Sequence, residues 1–226
     1  MGVLTLKNCD FSAYGPTLVS NAGESTVEAL EISGITASGF AMTGGDFIDF
    51  RKGNIGHIKV VSSTFSNGIR TFLRVDANAV LGGATVQNNT FYNLCSIDNK
   101  DNNGIMHVRS SNGVSPASLA TSARRILVTR NIFASMHKAA EGAPSAANGF
   151  PKLVSTASEK IKHPYITDNL FFDIDTAEGY SWWNTMTAED IEEAGKVLDE
   201  TPFSADPATG KFTVKSAYKG YGDSRW

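Results

Sequence analysis

The chain has 226 residues, 41% of them hydrophobic, and a formal net charge of −3 at pH 7. This length suffices for one long solenoid or two small domains, and the near balance of charge argues against a nucleic-acid-binding surface. No apolar run approaches the roughly 18 residues of a transmembrane helix, so we expect no membrane span. No signal peptide is visible, and the first residues run almost directly into a strand, so we expect further N-terminal coils or a cap to precede them.

An eight-residue phrase recurs six times, beginning at positions 4, 30, 58, 84, 126 and 164. A period in this range is typical of a solenoid. The third position of the phrase is apolar in every copy and the first in four copies, and two residues that are two apart lie on the same face of a strand. The eighth position is Phe in five copies, and the sixth is Asn in the last three. The columns predict a buried stack of phenylalanines and a ladder of asparagine amides: Phe11, Phe65, Phe91, Phe133 and Phe171, and Asn89, Asn131 and Asn169.

A second alternating strand lies between successive copies of the phrase. We place it at residues 17–20, 46–52, 71–76, 104–110 and 152–155. Two strands per coil, joined by short corners, predict an all-β fold: a right-handed parallel β-helix of about six coils. We assign residues 1–175 to this solenoid.

The pattern changes after the last coil, and we assign residues 176–226 to a C-terminal cap. Residues 185–200 resemble a helix, with Thr187 as its N-cap and acidic residues in the first turn. A short strand and a Gly-rich end follow. A solenoid with a bare apolar end would aggregate, so we expect this helix-and-strand segment to cover the open end of the coils.

Two cysteines and one Asp/Asn-rich loop require separate interpretations. Cys9 and Cys95 fall about three rungs apart, too far for a disulfide, and we expect both to be small buried hydrophobes. Residues 99–104 read Asn-Lys-Asp-Asn-Asn-Gly and match the first half of a calcium-binding loop. The twelfth position of such a loop is normally a Glu that binds calcium through both carboxylate oxygens, but here it would be Ser110. A polar turn is therefore favoured over a calcium site. We expect no metal and no cofactor, with calcium as the one alternative.

The repeated Val-x-x-Asn-Asn-x-Phe phrase resembles the pectin-lyase-like β-helix superfamily. The tail, residues 203–226, is similar to the closing segment of secreted bacterial carbohydrate-associated proteins in that superfamily. The resemblance implies a monomeric secreted, periplasmic or cell-surface protein that meets a polysaccharide or surface glycan. It implies the fold more strongly than any reaction, because one fold hosts many functions.

Charged side chains on the second strand are the candidate site. Aligning its copies places Asp49, Arg74 and His107 in one outward column. The neighbouring column contains Arg51, Asp76 and Arg109. A lyase acting on a uronate glycan needs a cation for the carboxylate and a base for the α-proton. Arg74 or Arg109 could hold the carboxylate and His107 could be the base, with Arg51 and Asp76 as substrate contacts.

Two other interpretations of these columns remain open. Opposite charges on neighbouring strands stabilise a sheet by themselves, so the columns could be a salt-bridge ladder or a non-catalytic glycan-binding face. No stack of outward acids suggests a calcium-dependent lyase, and no pair of carboxylates is placed for hydrolysis. Tyr180, Trp182 and Trp183 follow the last coil and could stack on sugar rings or pack the cap. The sequence thus leaves two function classes: a polysaccharide lyase, or a non-catalytic glycan-binding or structural module.

Overall fold

The computed structural model describes residues 2–12, 17–21, 23–39, 46–68, 71–75, 79–94, 106–108, 126–135, 166–174 and 194–226. The strands in chain order are β1 (Val3–Lys7), β2 (Asp10–Ser12), β3 (Val19–Asn21), β4 (Thr26–Ser33), β5 (Thr36–Ser38), β6 (Ile48–Phe50), β7 (Asn54–Val61), β8 (Thr64–Gly68), β9 (Leu73–Val75), β10 (Val80–Leu81), β11 (Ala84–Gln87), β12 (Thr90–Leu94), β13 (Met106–Val108), β14 (Ile126–Thr129), β15 (Ile132–Ala134), β16 (Ile166–Thr167), β17 (Asn169–Phe172) and β18 (Gly195–Leu198). Two one-turn 3₁₀ helices follow, at Pro207–Thr209 and Ser216–Tyr218. No helix in these ranges is long and apolar enough to cross a membrane.

The strands form a parallel β-solenoid with three sheets. Sheet A runs β1-β4-β7-β11-β14-β16, with β10 also paired to β7; sheet B runs β2-β5-β8-β12-β15-β17-β18; sheet C runs β3-β6-β9-β13. Every copy of the eight-residue phrase supplies one rung of sheet A and one of sheet B. Its third position pairs in register through all six copies, and its first position does so through the first five. The solenoid prediction is therefore confirmed. Four of the five predicted second strands form sheet C, and the fifth, at 152–155, lies outside the described residues.

The phenylalanine stack is confirmed on four successive rungs. Phe65, Phe91, Phe133 and Phe171 are at most 1% exposed. Their ring centroids lie 5.6, 4.9 and 5.5 Å apart, with nearly parallel planes. Phe11 belongs to the same column but is only partly buried, because β2 is the edge strand of sheet B. The apolar stack and the inner faces of the three sheets make one continuous core.

The asparagine ladder lies at the corner between sheets A and B. Asn89 Nδ2 donates to Asn131 Oδ1 at 3.1 Å, and Asn131 Nδ2 donates to Asn169 Oδ1 at 3.0 Å. Each amide also donates to a sheet-A carbonyl, and each oxygen accepts a backbone N–H of the preceding rung. The ladder therefore satisfies the polar backbone that a sharp corner would otherwise leave buried and unbonded.

The residue before this column turns the chain. The fifth position of all six copies has a left-handed backbone with φ between 47° and 64°. Its occupants are mainly Asn, Gly, Ser and Asp, which adopt this conformation at low cost: Asn8, Gly34, Ser62, Asn88, Arg130 and Asp168. A second left-handed residue lies at or near the end of five sheet-B strands: Gly39, Asn67, Asn93, Ser135 and Asp173.

The C-terminal segment differs from its prediction in two respects. The helix expected at 185–200 is wrong over Gly195–Leu198, which form β18, a parallel partner of β17. Sheet B therefore continues past residue 175, where the sequence analysis placed the end of the solenoid. Val197 is the register partner of Phe171 and therefore takes the next position in the phenylalanine column. The pairing of β18 with β17 outweighs the helical pattern of the local sequence.

The segment after β18 does not cap the end of the coils but runs back along the outer face of sheet B. The backbone N–H of Gly222 donates to the carbonyl of Arg130, Asp223 bonds Thr64 and Thr90, and Arg225 donates to the carbonyl of Gly34. Gly222 has a φ of 68°, and a Cβ built on it would lie 2.7 Å from Ile132 Cδ1. The close contact between the strap backbone and sheet B therefore requires glycine. We call residues 199–226 the strap, because they cross the rungs instead of adding to them.

Under the strap lies a second, smaller apolar core. Phe203 and Phe212 pack with Ile132, Leu170 and Leu198, which point outward from sheet B. The strap thus covers an outer face that the repeat makes apolar in its later coils.

One cysteine prediction is wrong. Cys9 is exposed, and its thiol donates to the Lys7 carbonyl. The reason is positional: β1 and β2 are edge strands, and Val3 and Leu4 beside them are also exposed. Cys95 lies outside the described residues.

Candidate functional site

Sheet C brings part of the predicted charged column together. In the backbone register of sheet C, Arg74 lies opposite Asp49 on one neighbouring strand and opposite His107 on the other, as the sequence predicted. Leu73 and Val75 on either side of Arg74 are fully buried in the core. The strand alternation therefore places Arg74 on the opposite side of sheet C from those two residues.

The side of sheet C that carries Asp49 and Arg74 is shielded from solvent at both residues. Asp49 is only 8% and Arg74 only 9% exposed, so both side chains are buried although they lie on the outward side of the sheet. Arg74 Nη1 lies 3.8 Å from Oδ2 of the fully buried Asp46, and Asp49 pairs with Arg51 at 2.8 Å. Burying an ion is costly unless a counter-ion accompanies it, and these pairs provide that compensation. The ion pairs differ from the predicted ladder, in which Asp49 neutralised Arg74.

Of the remaining site residues that the sequence predicted, the structure places Arg51. Arg51 is half exposed beside its partner Asp49. The other members, and the calcium-loop alternative, lie outside the described residues: Asp76, Arg109, Tyr180, Trp182, Trp183 and residues 99–104. Within the described ranges no group of three or more His, Cys, Asp or Glu residues is arranged to hold a metal ion.

A pocket of about 420 Å³ lies between sheet B and the strap. Tyr92 and Phe172 line it from rungs four and six of sheet B, with Ser135 from the corner of the rung between them. Residues 201–207 of the strap form the other wall and bring Phe203 and Asp206. Three aromatic rings therefore meet several hydroxyl groups and one carboxylate at one concave surface, as small-molecule sites commonly do.

Local structure fixes the walls of this pocket. Tyr92 packs edge-on against Phe212, with ring centroids 5.7 Å apart. Phe203, also on the strap, contacts the ring of Phe212. Asp206 caps the first 3₁₀ helix, where its Oδ1 accepts the Ala208 N–H at 2.9 Å. The carboxylate is thereby held at the rim by its own turn.

The electrostatics of the pocket are acidic. Burial raises the pKa of the Tyr92 hydroxyl, and the carboxylates of Asp206 and Asp173 raise it further, opposed by a hydrogen bond with Ser135. Tyr92 therefore remains a neutral hydrogen-bonding group throughout the physiological pH range. No basic side chain lines the described part of the pocket.

The sequence contained a signal for this pocket that the repeat analysis did not use. The ninth position of the phrase, directly after the core Phe, points outward from sheet B. It is Ser in the first three coils (Ser12, Ser38, Ser66) and becomes Tyr92, Ala134 and Phe172 in the last three. The change from serine in every early coil to two aromatic residues and an alanine in the later ones predicts that something covers the outer face of the later coils.

Comparison of the chain with protein-family models, with curated proteins and with solved structures found no match. The parallel β-solenoid is therefore established from the strand pairing itself. The resemblance to the pectin-lyase-like superfamily rests on the repeated phrase and the tail, and stays a prediction.

Proposed function

We propose that this chain is a carbohydrate-associated β-solenoid, secreted or on a cell surface, that binds glycan without cleaving it. The observation that carries the proposal is the pocket between sheet B and the strap. Sugar rings present apolar C–H faces and a rim of hydroxyls, and the pocket offers aromatic rings (Tyr92, Phe172, Phe203) beside polar groups (Ser135, Asp206). The resemblance stated above supports the same substrate class.

The charges of sheet C favour binding over catalysis. A lyase needs a cation that can turn to the substrate carboxylate. Arg74 is nine-tenths buried with Asp46, and Arg51 is engaged by Asp49. Ion pairs of this kind stabilise the solenoid and require no substrate.

The test is a binding assay against a panel of neutral and acidic oligosaccharides, read by calorimetry. Ala205 lines the pocket, and Ala205→Trp should block it and abolish binding without removing any packed side chain. Tyr92→Leu keeps an apolar contact with Phe212 but removes the flat ring, and should weaken binding at least tenfold. The control is Arg51→Ala on sheet C, which should bind as the parent does. Binding that survives Ala205→Trp but is lost in Arg51→Ala would move the site to the charged face.

A second candidate function is uronate elimination at sheet C. One observation favours it: the backbone register sets His107 directly beside Arg74 on a rigid sheet. The product of such a reaction carries a conjugated double bond, so turnover would raise ultraviolet absorbance. No rise with any uronate polymer would remove this candidate and leave the binding proposal intact.

A further inference from the structure

The pocket between sheet B and the strap carries an electrostatic preference, because the charged side chain on its described walls is a carboxylate. Asp206 lines it directly, and Asp173 follows Phe172 at the corner of the same rung. Both carboxylates raise the pKa of the Tyr92 hydroxyl. Two basic residues nearby in the chain are engaged elsewhere, Lys215 with Glu200 at 3.0 Å and Arg130 with Asp168 at 3.2 Å.

Asp206 also has acceptor capacity left for a ligand. Its Oδ1 accepts the Ala208 N–H within its own turn, and its Oδ2 takes part in no hydrogen bond or ion pair among the described residues. A carboxylate oxygen accepts readily from hydroxyl groups, and bonds to an ionised acceptor are stronger than neutral ones. The Tyr92 ring next to it provides a flat apolar surface for the C–H face of a sugar.

From this geometry we infer that the pocket binds a neutral sugar residue, whose hydroxyls donate to Asp206, and that it rejects uronic acids. The inference rests on the proposed glycan-binding function and specifies its ligand. A uronate would place a second carboxylate beside Asp206, with no basic residue on the described walls. Two like charges at about 5–7 Å, even in the high dielectric of a solvated rim, should weaken its binding by about threefold.

The test uses one ligand pair that differs in charge and in one methyl group per residue: an oligogalacturonide and its fully methyl-esterified form. Neutral galactose- and glucose-based oligosaccharides are tested alongside. Calorimetry at low salt should show neutral ligands binding at least about threefold more tightly than the uronate. Because salt screens like-charge repulsion, 0.5 M NaCl should narrow this ratio by raising uronate affinity, with little effect on neutral ligands.

The variant Asp206→Asn should weaken neutral ligands and strengthen the uronate, so that the ratio approaches one. Its matched control is Glu24→Gln, which makes the same change in net charge at an exposed residue of an early coil and should leave the ratio unchanged. A uronate that binds the parent as tightly as its ester, or a ratio that Asp206→Asn does not alter, would overturn the inference while leaving glycan binding in place. If no member of the panel binds, or if Ala205→Trp binds normally, the proposed function itself fails.

Discussion

Replacement of Phe91 by Ala should test how strongly the stacked core holds the solenoid together. Phe91 is fully buried, with the Phe133 ring centroid 4.9 Å away on one side, the Phe65 centroid 5.6 Å away on the other, and Phe72 4.8 Å away across the core. The additional apolar area that Phe buries relative to Ala corresponds to about 3–4 kcal/mol. The hydrogen-bonded rungs above and below fix their own spacing at about 4.8 Å, so the cavity cannot close. We expect the free energy of unfolding to fall by about 5 kcal/mol, the upper end for such substitutions.

The assay is urea unfolding followed by far-ultraviolet circular dichroism. The control is Val197→Ala, in the same column on the last rung of sheet B, where the side chain is 42% exposed; its cost should stay below about 1 kcal/mol. A loss under about 2 kcal/mol for Phe91→Ala, with an unchanged native spectrum, would refute the view that the aromatic stack is a rigid, well-packed core.

Three further predictions concern the ladder, the strap and one titrating residue. Asn131→Ala should cost about 2–4 kcal/mol in the same assay, because it leaves several backbone groups of a corner without partners; a cost below 1 kcal/mol would show that water replaces the amide. Arg225→Ala should cost about 3 kcal/mol by uncovering the fully buried Asp223, and Asp223→Asn added to it should recover part of the loss; strictly additive effects would contradict the ion pair. Burial, and next Lys59, lower the pKa of His57 from 6.5, opposed by Glu31. Its charged form is thus disfavoured in the folded state, so stability should decline as pH falls below about 6.5, and His57→Gln should flatten that part of the profile.

The strap prediction also bears on how the pocket forms. Arg225 and Asp223 lie near the chain end, yet they bond to rungs two to four of sheet B, and the Trp226 Nε1–H donates to Thr64. Phe203 and Asp206 reach the pocket from the other end of the same segment. Loosening the anchor should therefore weaken ligand binding at the pocket as well as stability.

The charged residues of sheet C show what strand alternation can and cannot provide. The pattern Leu-Arg-Val correctly assigned Arg74 to the side of the sheet opposite the core, and the repeat correctly assigned its neighbours in register, Asp49 and His107. Neither could reveal that this side is itself covered at Arg74, or that Asp46, three residues before Asp49, would provide the counter-ion. Partner choice depends on side-chain reach and burial, which an aligned column does not encode.

By itself, the sequence determined the solenoid, its register, the phenylalanine stack and the asparagine ladder. These features repeat, and each copy makes the same contacts with the next, so a column of letters is already a column in space. Only the tertiary structure decided what the unrepeated segment does. Residues 195–198 became a strand because sheet B offered unpaired backbone and an apolar column, and the strap lay along the outer face because Ile132 and Leu170 made that face apolar. The pocket is formed by residues more than 100 positions apart, such as Tyr92 and Asp206, which are brought together only because the chain returns along its own coils.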